Sequence, residues 1–453
     1  MFIERSAARV RLMRTLFVLL GILPCAGLCA WAAMRHSSGH REAIERRFEQ
    51  VVGLPLQIGS VEHVRPDAIR LRGCTLSLPS GGGVLSVPVI EVESVVGEVR
   101  IAIDRLDCTP AVARMLVTLA GQWLRQPARF PMDCVVEVGD IAWRPRLSAA
   151  VAPSAPVHVE CVAANGSRAV RVRLDQVDTP TPDEIRVVAM APEDGDGQHS
   201  DRFEVNGSIE RPLPIAMLEA LAGLEAGSLP LGDEACVSGE VAAVLDGSGL
   251  SGSARARVER IDLAAASMHL PHRVSGEAAL LVDRIVWSRN RIDACVCQCS
   301  VSRGRVGQRL LDALVTVLGC RPGVAYRSLT RDEVRGFDDV SCTLRIEADG
   351  INVAAGPGRA GSLVRTQGLS IIEEPTGFMP LDRLAWLLSP PGAAPVPASR
   401  ATAWLLGLFP LADAGGAASG RSGRGQAAGG SVPAESSGVQ PNQAARPVLR
   451  NEF

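Results

Sequence analysis

At 453 residues the chain is long enough for two or three domains of ordinary size. Hydrophobic residues make up 47% and charged residues 21%, enough apolar material to bury a large core, which excludes a chain disordered throughout. A formal net charge of −2 and an aromatic content of 4% give neither the basic field nor the stacking surface that nucleic-acid binding needs.

The first element is a run without formal charge from Thr15 to Met34, TLFVLLGILPCAGLCAWAAM. As a helix it would be about 30 Å long, the thickness of a bilayer's hydrocarbon core. Arg5, Arg9, Arg11 and Arg14 precede it, and Trp31 stands where an interfacial aromatic belongs. Ala30-Trp31-Ala32 resembles a signal-peptidase site, but the run exceeds the usual apolar region of a signal peptide, about 7–15 residues. An uncleaved anchor is therefore expected. Arg35, Arg41, Arg46 and Arg47 follow the run, so flanking charge does not decide its orientation. Residues 1–14 are too short to form a domain, which favours a short tail inside and a large exported body.

Behind the anchor, Ile44, Phe48, Val51 and Val52 fall at helical spacing and predict an amphipathic helix over Arg41–Val52. The period then changes to two. Ile69–Leu71, Val99–Ile103, Val170–Leu174, Phe203–Asn206 and Cys342–Glu347 alternate apolar with polar, the mark of strands with one wet face. Turn clusters at Ser80–Gly83, Asn165-Gly166 and Asp246–Gly249 separate such strands, which are expected from residue 56 to 373. Helices interrupt them. Thr109-Pro110 is a helix start, followed by a face of Val112, Met115, Leu116, Leu119 and Trp123. Pro214–Leu224, Val306–Leu318 and Pro380–Leu388 show shorter apolar stripes. The predicted class is α+β, dominated by antiparallel strands, in a body spanning 37–390. Residues 391–453 read as a breaker-rich linker and a Gly/Ala/Ser/Pro-rich flexible tail. An apolar island at Trp404–Phe409 is too short to span a membrane; it could dip into a membrane surface or dock on the body, and docking is expected.

Chemical motifs are scarce. Twelve cysteines include two in the anchor, Cys25 and Cys29, and none forms a CxxC pair. Cys295, Cys297 and Cys299 would share one face of a strand, as a soft-metal or redox site or as three small buried hydrophobes; the latter is expected. In an exported body some of the other ten could pair as disulfides, with partners undetermined by sequence. His36 and His40 are four apart, a spacing that suits a metal only on a helix, and Ser37–Gly39 argue against one; His269 and His272 span a proline and read as a loop. His158, His269 and His272 would be the bases of an exported enzyme, but no nucleophile motif accompanies them. The acidic stretch Glu193–Asp201 departs from calcium-loop spacing, with His199 where a glycine is required. No catalytic, cofactor or metal site is expected, and no enzyme.

Some segments carry a pattern of their own. Gly53-Leu-Pro-Leu-Gln-Ile58 follows the first helix, then Ala68-Ile-Arg-Leu-Arg-Gly73 and Val89–Glu93. Val237-Ser-Gly-Glu-Val241 and Val274-Ser-Gly-Glu-Ala278 repeat a motif, and Gly361–Arg365 with Pro380–Leu384 closes the pattern. This order resembles the AsmA-like family of membrane-anchored envelope proteins, which includes the TamB type, over residues 15–390. The resemblance implies a long curled antiparallel sheet, a β-taco or groove lined by apolar side chains, with short covering helices. It implies a single-pass protein of the bacterial inner membrane with its body in the periplasm. The implied role is non-catalytic, in envelope or outer-membrane assembly or phospholipid handling, with lipids and envelope proteins as partners and no nucleic acid. The alternative is a membrane-anchored scaffold that binds protein partners and carries no lipid.

Overall fold

The computed structural model describes residues 7–389 except 36, 78–83, 127–129, 131, 144–155, 165, 175–182, 191–201, 225–226, 328–329, 331–332 and 348, and also 402–403 and 407–409. The anchor is helical throughout: α1 (Ala7–Phe17), a π-helical turn (Val18–Ile22) and α2 (Leu23–Arg35) follow without a break. The wide turn has a local cause. Pro24 has no amide to donate, and just before it the Leu23 amide reaches back five residues to the Val18 carbonyl. Arg11–Arg35 is the one described helix apolar and long enough to span a membrane; its mean hydropathy is 2.2 and none of its most apolar window is buried. At its end the Arg35 guanidinium lies 4.0 Å from the Trp31 ring centroid.

Helix α3 (Ser38–Val52) begins at Ser37, whose hydroxyl accepts the His40 amide, and ends at Gly53 in the left-handed region. It fastens the anchor to the sheet. Glu45 accepts the Ile58 amide at 2.8 Å, Arg41 donates to the Gly59 carbonyl, and the His40 and His63 rings stack at 5.2 Å.

The body is mostly β. In chain order come β1 (Leu56–Gln57), β2 (Ser60–Arg65), β3 (Ala68–Ser77), β4 (Val84–Val95) and β5 (Glu98–Cys108). Helix α4 (Pro110–Arg125) then leads to β6 (Asp133–Trp143), β7 (Val157–Ala164), β8 (Ser167–Leu174), β9 (Asp183–Met190) and β10 (Arg202–Pro214). After α5 (Ile215–Leu221) follow β11 (Cys236–Asp246), β12 (Gly249–Asp262), α6 (Leu263–Ala266), β13 (Val274–Ser288) and β14 (Arg291–Gly307). The chain continues through α7 (Gln308–Thr316), β15 (Arg321–Pro322), β16 (Val334–Glu347), β17 (Gly350–Ala355), β18 (Ser362–Thr366), β19 (Leu369–Glu373) and α8 (Asp382–Leu387). All the strands belong to one sheet, and nearly every strand pairs with its neighbour in sequence.

Pairing is antiparallel except between β5 and β6, which run parallel in unbroken register from Glu98↔Asp133 to Ile103↔Val138. A parallel neighbour needs a crossover, and α4 supplies it. The Thr109 hydroxyl accepts the Val112 amide, Pro110 opens the first turn, and Val112, Met115 and Trp123 are buried as the spacing predicts. Leu116 departs from that prediction: it is 40% exposed, and Ala113 takes the buried place instead. Helix α7 also starts later than its apolar stripe, because Val306 and Gly307 are held in the ladder against Arg335 and Val334.

Two large cores form, one over β1–β7 under α4, the other over β12–β19 under α7, where Leu311, Ile351, Ile371 and Ile372 are fully buried. A smaller core joins Trp123 and Leu124 to Cys161, Val170 and Phe203. The described end of the apolar island, 407–409, docks: the Ile292 amide donates to the Leu408 carbonyl at 2.6 Å, and Phe409 packs on the second core, while 404–406 lie outside the described residues. The expected turn at Ser80–Gly83 lies outside the described residues, as does Asn165.

Candidate functional site: the apolar sheet face

Alternation within each strand says which residues share a side, and the ladder registers say how those sides join. Ile69 of β3 faces Val92, then Ile101, Val136, Val159 and Val172 on successive strands. The same row continues through Ile185, Gly207, Val241, Ala254 and Ile285. It ends through Cys295, Ile346 and Ile351. From β3 to β17 it meets no polar side chain. A neighbouring row on the same side runs Val170, Val187, Val205, Ala243, Gly252, Trp287, Ile292.

One residue away, the sheet's other side is charged. Arg70 faces Glu91, and Glu137, His158, Arg173 and Glu184 stand opposite one another in turn on β6 to β9. Opposite signs meet as cross-strand ion pairs, such as Arg70–Glu91 at 2.6 Å and Arg171–Glu184 at 3.1 Å. Glu160 sits among Arg173, Arg171 and His158; desolvation raises its pKa, but these three partners outweigh it and hold the carboxyl below its ordinary range. A hollow on this polar side, over β9–β13, is lined by Glu184, Arg186, Glu240, Arg255 and Arg284. Its mixed charges and small floor residues, Ser208 and Ser253, single out no ligand.

The apolar side is packed at its two ends and less so in its middle. Val205, Val241 and Ile285 are half-buried and belong to none of the three cores. They form a stretch of this face that lies outside the three cores.

The chemistry-bearing residues are dispersed. His158 lies on the charged side of β7, with its Nε2 3.2 Å from Glu160. His269 is exposed, and His40 and His63 stack beside the anchor. His36, His199 and the stretch Glu193–Asp201 lie outside the described residues. Cys295, Cys297 and Cys299 share the apolar face, opposite Ile346, Leu344 and Cys342. Among the described residues no group of three His, Cys, Asp or Glu side chains has metal-binding geometry.

His272 is a strut. It is buried, and its Nε2 donates to the Leu387 carbonyl at 2.8 Å, tying α8 to the start of β13. Burial lowers its pKa, with a smaller lowering from Arg309, against the opposing effect of the Leu387 hydrogen bond. The folded pKa is therefore below the unfolded value of about 6.5, and the unfolded chain binds more protons between the two. The stabilisation is full above pH ~6.5 and is lost as pH falls through the folded pKa. Amide protection in α8 is expected to drop between pH 7.5 and 5.5, and His272→Gln to flatten that dependence. A pH-independent protection in the native chain would contradict this role.

Comparison with family models, with characterised proteins and with solved structures finds no match to this chain. What the fold defines is a class: a β-rich body built on one long sheet, behind a single N-terminal helix apolar enough to span a membrane.

Proposed function

We propose that the protein is a non-catalytic, single-pass envelope protein that handles phospholipid on the apolar face of its sheet, in the manner of the AsmA-like proteins it resembles. The carrying observation is the apolar row from Ile69 to Ile351 with its neighbouring row, half-buried in the middle at Val205, Val241 and Ile285. An acyl chain is the ligand such a surface suits, since it offers neither directed polar groups nor charge. In this reading the sheet curls into a groove, the anchor sits in the bacterial inner membrane, and the body projects into the periplasm. The fastening of α3 to β1 and β2 supports it, because the face then begins beside the bilayer that would supply lipid. A membrane-anchored scaffold for envelope proteins is the second reading, favoured by the two dense cores at either end of the sheet.

The test uses the full chain in its membrane, with benzoylphenylalanine placed at Val241 or Ile285 on one side and at Glu240 or Arg284 on the other. Illumination is expected to attach phospholipid at the first two positions and only background at the second two. Equal labelling on both sides, or no lipid anywhere, removes the lipid reading; protein adducts at Val241 put the scaffold in its place.

A further inference from the structure

Ten cysteines lie outside the membrane-spanning helix. In the ladder, Cys134 of β6 stands directly opposite Cys161 of β7, and Cys299 of β14 directly opposite Cys342 of β16. The others in strands face different residues: Cys74 faces Val87, Cys108 faces Trp143, Cys236 faces Glu259, Cys295 faces Ile346 and Cys297 faces Leu344. We infer that Cys134–Cys161 and Cys299–Cys342 close as two cross-strand disulfides when the body matures in an oxidising compartment.

The geometry suits the bond. Directly opposed residues in an antiparallel pair have Cα atoms about 4.5 or 5.5 Å apart, and a disulfide needs about 4.4–6.8 Å. Both partners of each pair project to the same apolar side, so no backbone rotation is required. The Cys299 and Cys342 thiols lie close enough to shift each other's pKa, and Cys134 lies close enough to Cys161 to raise its pKa.

The chemistry sets the order of events. Each closure turns two thiols into one S–S bond and releases two protons and two electrons. The acceptor is the disulfide of a thiol–disulfide oxidoreductase, whose own S–S bond breaks as it becomes a dithiol. The attacking species is the thiolate. In the folded sheet burial pushes Cys134 up to about 11 and Cys161 up to about 12, and the neighbouring Cys299 sulfur, with burial, holds Cys342 protonated. At the first pair exchange is thus slow once the strands have packed, and that bond closes while they are still assembling; at the second the neighbouring Cys342 thiol holds Cys299 below its ordinary range, which makes Cys299 the attacking sulfur. One bridge then staples the first half of the sheet and the other the second. No opposed cysteine pair occurs among the described residues of β9–β13, so the half-buried middle carries no such staple.

The occurrence of these bonds in the cell rests on the export reading, whereas the choice of partners does not, and two measurements separate them. In the first, the full chain in detergent is reduced, unfolded in urea, refolded with oxidised glutathione, alkylated and mapped by non-reducing peptide mass spectrometry. The expected result is two linked peptide pairs, Cys134 with Cys161 and Cys299 with Cys342, and four fewer alkylated thiols than in the reduced chain. Scrambled pairs or glutathione adducts at these four positions would overturn the inference. In the second, cells are alkylated before lysis and the same peptides are examined. Linked peptides support both the inference and export; free thiols, after a positive first measurement, leave the pairing standing and overturn export.

Discussion

Replacing Gly239 by alanine is expected to destabilise the body by about 3–5 kcal/mol, in the range reserved for substitutions with a definite steric or backbone fault. A Cβ built there would lie 2.1 Å from the Arg255 carbonyl oxygen and 2.7 Å from the Ala256 Cα. Both are backbone atoms of the paired strand, so no rotamer change relieves the clash. The residue also has φ +147°, a conformation that L side chains rarely adopt. Either β11 parts from β12 or the strand flattens, and both moves disturb the ladder that carries Val241 and Ala254. Gly97→Ala is the comparison. Gly97 also has positive φ, +82°, but a Cβ there meets nothing within 4 Å, so only the backbone strain of about 1–2 kcal/mol remains. Urea denaturation of the full chain in detergent, followed by far-UV circular dichroism, separates the two. Equal midpoints for both variants would mean that the β11–β12 register is not the one described.

The same glycine shows what sequence can carry. Val237-Ser-Gly-Glu-Val241 and Val274-Ser-Gly-Glu-Ala278 stand out as a repeated motif, and in the fold each glycine has strongly positive φ where two strands come close. Gly276 sits beside Gly304 at a break in register. Alternation also reads through: the quoted segments at 69–71, 99–103, 170–174, 203–206 and 342–347 all lie in strands. Period two names a face, however, and leaves the partner strand open. The parallel β5–β6 pair, the unbroken apolar row and the opposed cysteines are all properties of register, so none is visible along the chain. Cys342 is distant in sequence from the Cys295–Cys299 cluster and meets it only through β14–β16 pairing. His272 gives no sequence signal either, since its partner is a backbone carbonyl in a helix far down the chain.

Arg168→Met is expected to cost about 2–4 kcal/mol, because Arg168 is a buried charged residue on the apolar face and its charge has a specific use. It is 8% exposed and lies between Ala163 of β7 and Ala189 of β9, small residues that leave room for the long stem. The guanidinium donates to the Trp123 and Phe130 carbonyls and stacks 4.3 Å from the Trp123 ring centroid. Trp123 is in the last turn of α4, where carbonyls lack intrahelical partners and the helix dipole favours a cation. Methionine keeps the apolar stem but leaves both carbonyls without this donor in a largely dry site. Lysine is expected to recover little, since an ammonium lacks the planar fork and stacks less well on an indole. Once the clamp is lost, α4 should lift first at its C-terminal end and uncover Trp123, Leu124 and Cys161. The readouts are a lower urea midpoint, faster alkylation of Cys161 in the reduced chain, and increased binding of an apolar dye below the unfolding transition. If Arg168→Met shifts stability by less than ~1 kcal/mol and leaves Cys161 as protected as before, packing alone holds α4 to the sheet and the clamp is incidental.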